Sequence, residues 1–205
     1  MQIDFATNGE LKDMSSLRFV SRGGDKLDGA LEHFGINGRG MVCLDAGAST
    51  GGFTDCLLQR GAAKVYAVDT AYGELAWRLR NDKRVVVLER TNILFDNERL
   101  NQISAKLDLA VLDVGWTKSV KVIQRVFGWL KSGGLVVALI KPQYEVGSGG
   151  SEGGGGKVLD QEVSRVVAER VREQLVKMGY GVSELFSSPV KGEGGNQEYF
   201  VMIRG

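Results

Sequence analysis

The chemistry in this sequence gathers where apolar runs stop. Asp45 follows Met41, Val42 and Leu44, and Asp69 follows the run Lys64 to Val68. Asp113 closes the apolar stretch that starts at Leu107, and Lys141 closes Leu135 to Ile140. In a parallel sheet, ligands bind beyond the carboxyl ends of the strands, so four charged groups at such ends form one candidate site. After Asp45 the chain reads Ala46-Gly47-Ala48-Ser49-Thr50-Gly51-Gly52-Phe53 and then runs amphipathically to Leu58. That is a strand, a glycine turn and a helix start. The glycines let backbone approach a ligand, and the helix start offers free N–H groups. A carboxylate beside the turn repels a dinucleotide pyrophosphate and attracts the ammonium and sulfonium of S-adenosylmethionine. The pattern therefore favours the methyl donor over the dinucleotide.

Asp69, with Thr70 beside it, follows the turn at about the interval that places an acid on a ribose hydroxyl. Thr91 and Asn92, after a third strand over Arg84 to Leu88, would lie near the purine. Lysine ending so apolar a strand as the one before Lys141 is informative, because charged groups avoid such places unless paired. The alternative is a lysine that snorkels to the surface.

The elements that must position these groups follow from periodicity. Asp25 can cap a helix whose face is Leu27, Ala30, Leu31 and Phe34, with Gly35 ending it. From spacing alone Lys26 sits at the first helical position, off that face, and reads as solvated. Tyr72 to Leu79, Phe95 to Ser104 and Val120 to Leu130 read as helices, the last stopped by Ser132-Gly133-Gly134. Gly147 to Gly156 is a glycine-serine loop, either a lid or a surface insertion. Asp160 caps a long helix with Val163, Val166, Val167, Val171, Leu175 and Met178 inward. Gly181 to Phe186 and Glu198 to Ile203 form a closing antiparallel pair. Right-handed crossovers then give a mostly parallel seven-stranded α/β sheet with helices on both faces.

At 205 residues, with 43% hydrophobic and 25% charged residues, the composition is that of one soluble globular domain. A net charge of +1 gives no overall basic field, so any RNA contact must use a local patch. Cys43 and Cys56 read as small core residues of a reduced, cytoplasmic protein. The only histidine is His33, so no Cys/His cluster suggests a metal. No signal peptide and no membrane-crossing apolar run is present.

Seven separated motifs carry a resemblance. They are Ser21-Arg22-Gly23-Gly24-Asp25-Lys26-Leu27, Leu44 to Asp55, Ala67-Val68-Asp69, Leu75-Ala76-Trp77, Glu89-Arg90-Thr91-Asn92, Ile140-Lys141-Pro142-Gln143 and Gly195-Asn196-Gln197-Glu198. In that order they resemble the TlyA (haemolysin A) branch of the FtsJ-like methyltransferases, from about Val20 to the C-terminus. The resemblance implies a Rossmann-like methyltransferase fold. It also implies S-adenosylmethionine as cofactor and a 2′-O-methylation of ribosomal RNA at a cytidine-type target, with ribosomal RNA or ribosomal subunits as partners. It assigns catalysis to Lys26, Asp113, Lys141 and Glu198, against the solvated reading of Lys26. Cofactor contacts are then expected from Asp45, Gly47, Ala48, Ser49, Thr50, Gly51, Gly52, Phe53, Asp69, Thr70, Thr91, Asn92 and Asp113.

Two departures follow. Such proteins usually carry a small N-terminal RNA-binding domain, and here residues 1–19 read as a tail or linker remnant before a domain over 20–205. The family usually has Val-Ser-Phe after this Asp, and here the chain reads Val114-Gly115-Trp116-Thr117-Lys118. Arg22, Trp116 and Lys118 are the expected substrate contacts, with Trp116 stacking on a base, blocking the site or packing on its own helix. The departures leave two competing readings: a cofactor-binding, RNA-associated protein of impaired activity, or a small-molecule methyltransferase. A membrane-lysing role, suggested by the older family name, finds no amphipathic or spanning segment.

Overall fold

A computed structural model describes residues 18–103, 106–115, 117–146 and 158–205. The early tail residues 1–17, Trp116 and the glycine-serine loop lie outside the described residues. Within them the order is α1 (Gly23–His33), β1 (Val42–Ala46), α2 (Gly52–Gln59), β2 (Lys64–Val68), α3 (Trp77–Arg80), β3 (Val85–Leu88) and β4 (Leu107–Leu112). There follow α4 (Ser119–Phe127), β5 (Leu130–Ile140), α5 (Pro142–Glu145), α6 (Gln161–Lys177), β6 (Gly181–Val182), β7 (Phe186–Ser187) and β8 (Tyr199–Arg204). The sheet runs β3-β2-β1-β4-β5-β8-β6, with β7 also on β8. Its first five strands are parallel, and β8 is antiparallel to β5.

Period-two alternation splits the core between the two faces. Cys43, Val65, Leu109, Val137 and Phe200 face α1 and α2, where Leu27, Leu31, Phe53 and Leu57 pack. Leu44, Tyr66, Ala110, Val136 and Val201 face α4 and α6, where Ile123, Val126, Ala168 and Leu175 pack. Both cysteines are free and buried, and burial pushes each thiol up to about 12.

Several boundaries differ from the sequence reading. The closing strand expected over Gly181 to Phe186 is two pieces, so the sheet has eight strands among the described residues. Val182 pairs with Ile203 and Phe186 with Phe200, which leaves one extra residue on the outer side, a bulge. Ser183 fills it, its N–H donating to the Met202 carbonyl and its Oγ accepting the Met202 N–H. β5 begins at Leu130 and passes through Gly133 (φ +76°) in a register shift, so the glycines bend a strand as well as ending a helix. Helix α3 keeps only the last part of Tyr72 to Leu79, and Phe95 to Ser104 yields a 3-10 turn over Glu98–Gln102. Val163, Val166 and Met178 of the long helix are exposed, because a single sheet face covers only the Val167, Val171, Leu175 stripe.

α1 begins two residues before the cap the sequence suggested. Arg22 is its N-cap, and Asp25 lies in the first turn, favourable to the helix dipole. Arg18 and Phe19 belong to the packed unit. Arg18 pairs with Asp28, which Arg60 also holds, and Phe19 is buried against Gly24. A Cβ on Gly24 would stand 2.2 Å from Phe19 Cγ. Helix propensity alone would make Gly24→Ala stabilising by about 1 kcal/mol. Overpacking against a buried ring outweighs that, so the variant should lose about 1–3 kcal/mol, read as a lower urea midpoint.

Candidate active site

A cleft of about 250 Å³ opens at the carboxyl ends of β1, β4 and β5. Lys26, Asp113, Lys141 and Glu198 all line it. They form two contacts: Lys26 Nζ donates to Glu198 Oε2 at 2.6 Å, and Lys141 Nζ lies 2.6 Å from Asp113 Oδ1. The first pair is almost waterless, with Lys26 at 9% and Glu198 at 2% exposure.

Local structure explains each position. Lys26 reaches the cleft because the N-termini of α1 and α2 abut. A Cβ on Gly52 would stand 2.3 Å from Ser21 Oγ and 2.8 Å from the Gly24 nitrogen, so only glycine permits that approach. Asp113 leaves β4 with its N–H on the Ala46 carbonyl, and Gly47 (φ +87°) packs its backbone against the Asp113 carbonyl. Lys141 is extended because proline follows it, and it caps α5 with Pro142 at the first helical position. Glu198 enters β8 beneath Gly192, where a Cβ would lie 2.2 Å from Glu198 Oε1.

Burial alone would lower the Lys141 pKa. The Asp113 carboxylate outweighs it, aided by Glu198 and Tyr144, and holds the ammonium above its ordinary range. At neutral pH Lys141 is therefore a cation and a hydrogen-bond donor.

Of the expected cofactor residues, Gly47, Ala48, Ser49, Thr50, Gly52, Phe53 and Asp113 line the cleft. Gly51 turns the chain at φ +99° and packs on Leu75 and Leu79. Asp69 lies in an adjoining narrow recess with Ala67, Leu75, Val87, Glu74 and Glu89. Its carboxylate accepts N–H bonds from Ser49 (2.7 Å) and Ala71 (2.8 Å), while Ser49 Oγ donates to Glu74 (3.0 Å). Asp45 is fully buried beneath the turn and does not line the cleft. Thr54 Oγ1 donates to its Oδ2 at 2.7 Å, while Oδ1 has no hydrogen-bond partner. Burial, with the nearby Asp113 and Asp69 charges, pushes its pKa up to about 7 against the Thr54 hydrogen bonds.

Thr70 is exposed, and Thr91 is buried with its hydroxyl on the Glu89 carbonyl. Asn92 caps the next turn through Leu94 N–H. Arg22 lines the cleft, whereas Lys118 lies outside it with Nζ donating to the Glu145 carbonyl. The sequence reading gave no role to Ser21, Glu74, Glu89, Gln143 or Tyr144. For the last two the signal was present: a proline after Lys141 starts a helical turn that swings both residues toward the same cleft.

Residues 19–204 match the FtsJ-like methyltransferases. The chain belongs to that family. It is 45% identical over 190 residues to the 16S/23S rRNA (cytidine-2′-O)-methyltransferase TlyA of Mycobacterium tuberculosis, covering 93% of this chain and 70% of that protein. A hemolysin-named structure from Streptococcus thermophilus superposes with TM-score 0.82 at 38% identity, covering 95% of this chain and 69% of the other. One from Lactococcus lactis does so at 0.82 and 39%, covering 92% and 89%.

The methyl donor of this FtsJ-like chain is S-adenosylmethionine. The residues present fit it. The acidic recess suits a cationic ligand carrying a ribose. Each Asp69 oxygen, though bonded to backbone, keeps a lone pair for a diol.

Two outcomes test this geometry. Gly192 has an ordinary φ of −65°, so Gly192→Ala adds only a methyl that displaces the end of Glu198. The variant should stay folded by circular dichroism while methyl transfer falls on the order of 10- to 100-fold, mainly in kcat. For Asp45, the folded pKa lies above the unfolded one, so its contribution is full below pH 4 and is lost as pH rises to about 7. Asp45→Asn should therefore gain stability relative to the parent between pH 5 and 8, by a few kcal/mol at most, in urea titrations at each pH.

Proposed function

We propose that this protein transfers a methyl group from S-adenosylmethionine to a ribose 2′-hydroxyl of ribosomal RNA, at a cytidine, on ribosomal RNA or a subunit in the cytoplasm. The observation that carries this reading is the convergence of Lys26, Asp113, Lys141 and Glu198 on one cleft beside the glycine turn. The names of the relatives support the ribose and the cytidine. Among the described residues no helix is long and apolar enough to cross a membrane.

When bound, the donor supplies a methyl carbon made electrophilic by an adjacent sulfonium. Gly47, Ala48, Ser49 and Asp69 are the residues to hold it. The chain's own work lies on the other side. The Lys141 ammonium donates to the ribose oxygen and stabilises the negative charge that grows as the hydroxyl proton departs to water. Asp113, at 2.6 Å, fixes the direction of that ammonium and keeps it charged. The Lys26–Glu198 pair walls the opposite side, and its near-complete burial leaves little freedom to misplace the hydroxyl.

Ribose-methylation mapping of ribosomal RNA, with and without the protein, is the direct test; a map without a new 2′-O-methyl position removes the reading. Lys141→Ala should abolish turnover and leave S-adenosylmethionine affinity, measured by calorimetry, near that of the parent. Full activity in that variant would strike Lys141 from the mechanism.

A further inference from the structure

We propose that Tyr144 is the platform on which the base of the target nucleotide stacks, and that position 115 is glycine to keep that platform open. The inference rests on the ribose-methylation reading and deepens it.

Tyr144 lines the cleft and is 40% exposed, so core packing does not account for it. Its ring centroid lies 6.0 Å from Lys141 Nζ. A ribose oxygen held by that ammonium is three bonds from the glycosidic nitrogen of its base. Aromatic rings stack with centroids about 4.5–7 Å apart, so a base so placed is within reach of the phenol ring. Exposed Tyr72, Trp77 and Phe95 do not line the cleft, and the Arg90 guanidinium already covers the Tyr72 ring at 4.0 Å.

Gly115 supplies the second, independent observation. Its φ is not in the left-handed region, so the backbone does not require glycine there. Space does. A Cβ at 115 would stand 3.2 Å from Tyr144 Cε2 and 3.7 Å from Lys141 Nζ. Any side chain would therefore fill the gap bordered by the ring and the ammonium, where the nucleoside must lie. Gly115 follows Asp113 by two residues and Tyr144 follows Lys141 by three, so each half of this subsite is carried by one member of the catalytic pair.

The test is steady-state methylation of ribosomal RNA by the full chain and by Tyr144→Ala, Tyr144→Phe and Gly115→Ala, with donor affinity measured by calorimetry. Tyr144→Ala should raise KM for RNA about 10-fold, the order expected for one base–aromatic stack, with a smaller change in kcat and unchanged donor affinity. Tyr144→Phe keeps the ring and should restore most of the loss. Gly115→Ala should raise KM for RNA with donor affinity intact. An unchanged KM in Tyr144→Ala, a defect in Tyr144→Phe as large as in Tyr144→Ala, or a parallel loss of donor affinity would each overturn the inference. Those results leave the methylation reading standing if the parent is active. A parent protein that methylates no ribose would sink both, and the parent assay alone distinguishes that case.

Discussion

A lysine and a glutamate 172 positions apart share a contact of 2.6 Å with almost no water around either. Each ion loses several kcal/mol of hydration on burial, so neither tolerates the absence of its partner, and removing one typically costs about 3–5 kcal/mol. The Lys26–Glu198 pair therefore ties the first helix to the last strand. α1 must lie against α2, β8 must insert beside β5, and the turn before β8 must pass over the carboxylate without a side chain at Gly192. Once those constraints hold, Lys26 and Glu198 stand at the rim where β4 and β5 already present Asp113 and Lys141. Fold and site depend on the same ion pair.

Charge is distributed unevenly along that rim. Toward β2 and β3 the groups are acidic: Asp69, Glu74 and Glu89, with Asp45 beneath the turn. Toward α1 and β5 they include the amines Lys26 and Lys141 and the guanidinium of Arg22. A net charge of +1 conceals this. A cationic donor and a polyanionic acceptor are thereby drawn to different halves of one cleft, which orders them without any large field over the surface. The acidic half is itself tightly held. Burial opposes the Glu89 charge, yet Arg80 at 2.6 Å and the Gly73 N–H overcome it and keep its pKa below the ordinary range.

Most of the architecture was legible because buried parallel strands are apolar on both faces and stop at charged residues. Asp113 and Lys141 could be placed from the strand ends, and the glycine turn from its spacing. Lys26 and Glu198 could not be paired that way, since no local period signals a partner 172 positions distant, and the family resemblance alone joined them. Helix limits were misread where packing, not propensity, decides. Tyr72 to Ala76 is spent joining the turn at Thr50 through an Ala76 N–H bond, leaving α3 only from Trp77. Asp45 was read as facing the ligand. Alternation along β1 instead sends it to the α2 face with Cys43, where it holds Thr54 and so fixes the start of α2 under the turn.

The two amines are therefore not equivalent. Lys26 is committed to a buried partner and defines a wall. Lys141 keeps about a fifth of its side chain exposed, as does Asp113, so their contact faces the open cleft and can be shared with an incoming hydroxyl. A general base needs a free lone pair, and a lysine held above its ordinary pKa has none at neutral pH. What this site offers the developing oxyanion is a positive charge already aimed, and a compact ammonium suits a single oxygen better than a planar guanidinium fork would. That division of labour accounts for both carboxylates: Glu198 makes the burial of Lys26 tolerable, and Asp113 keeps Lys141 charged and pointed at the acceptor.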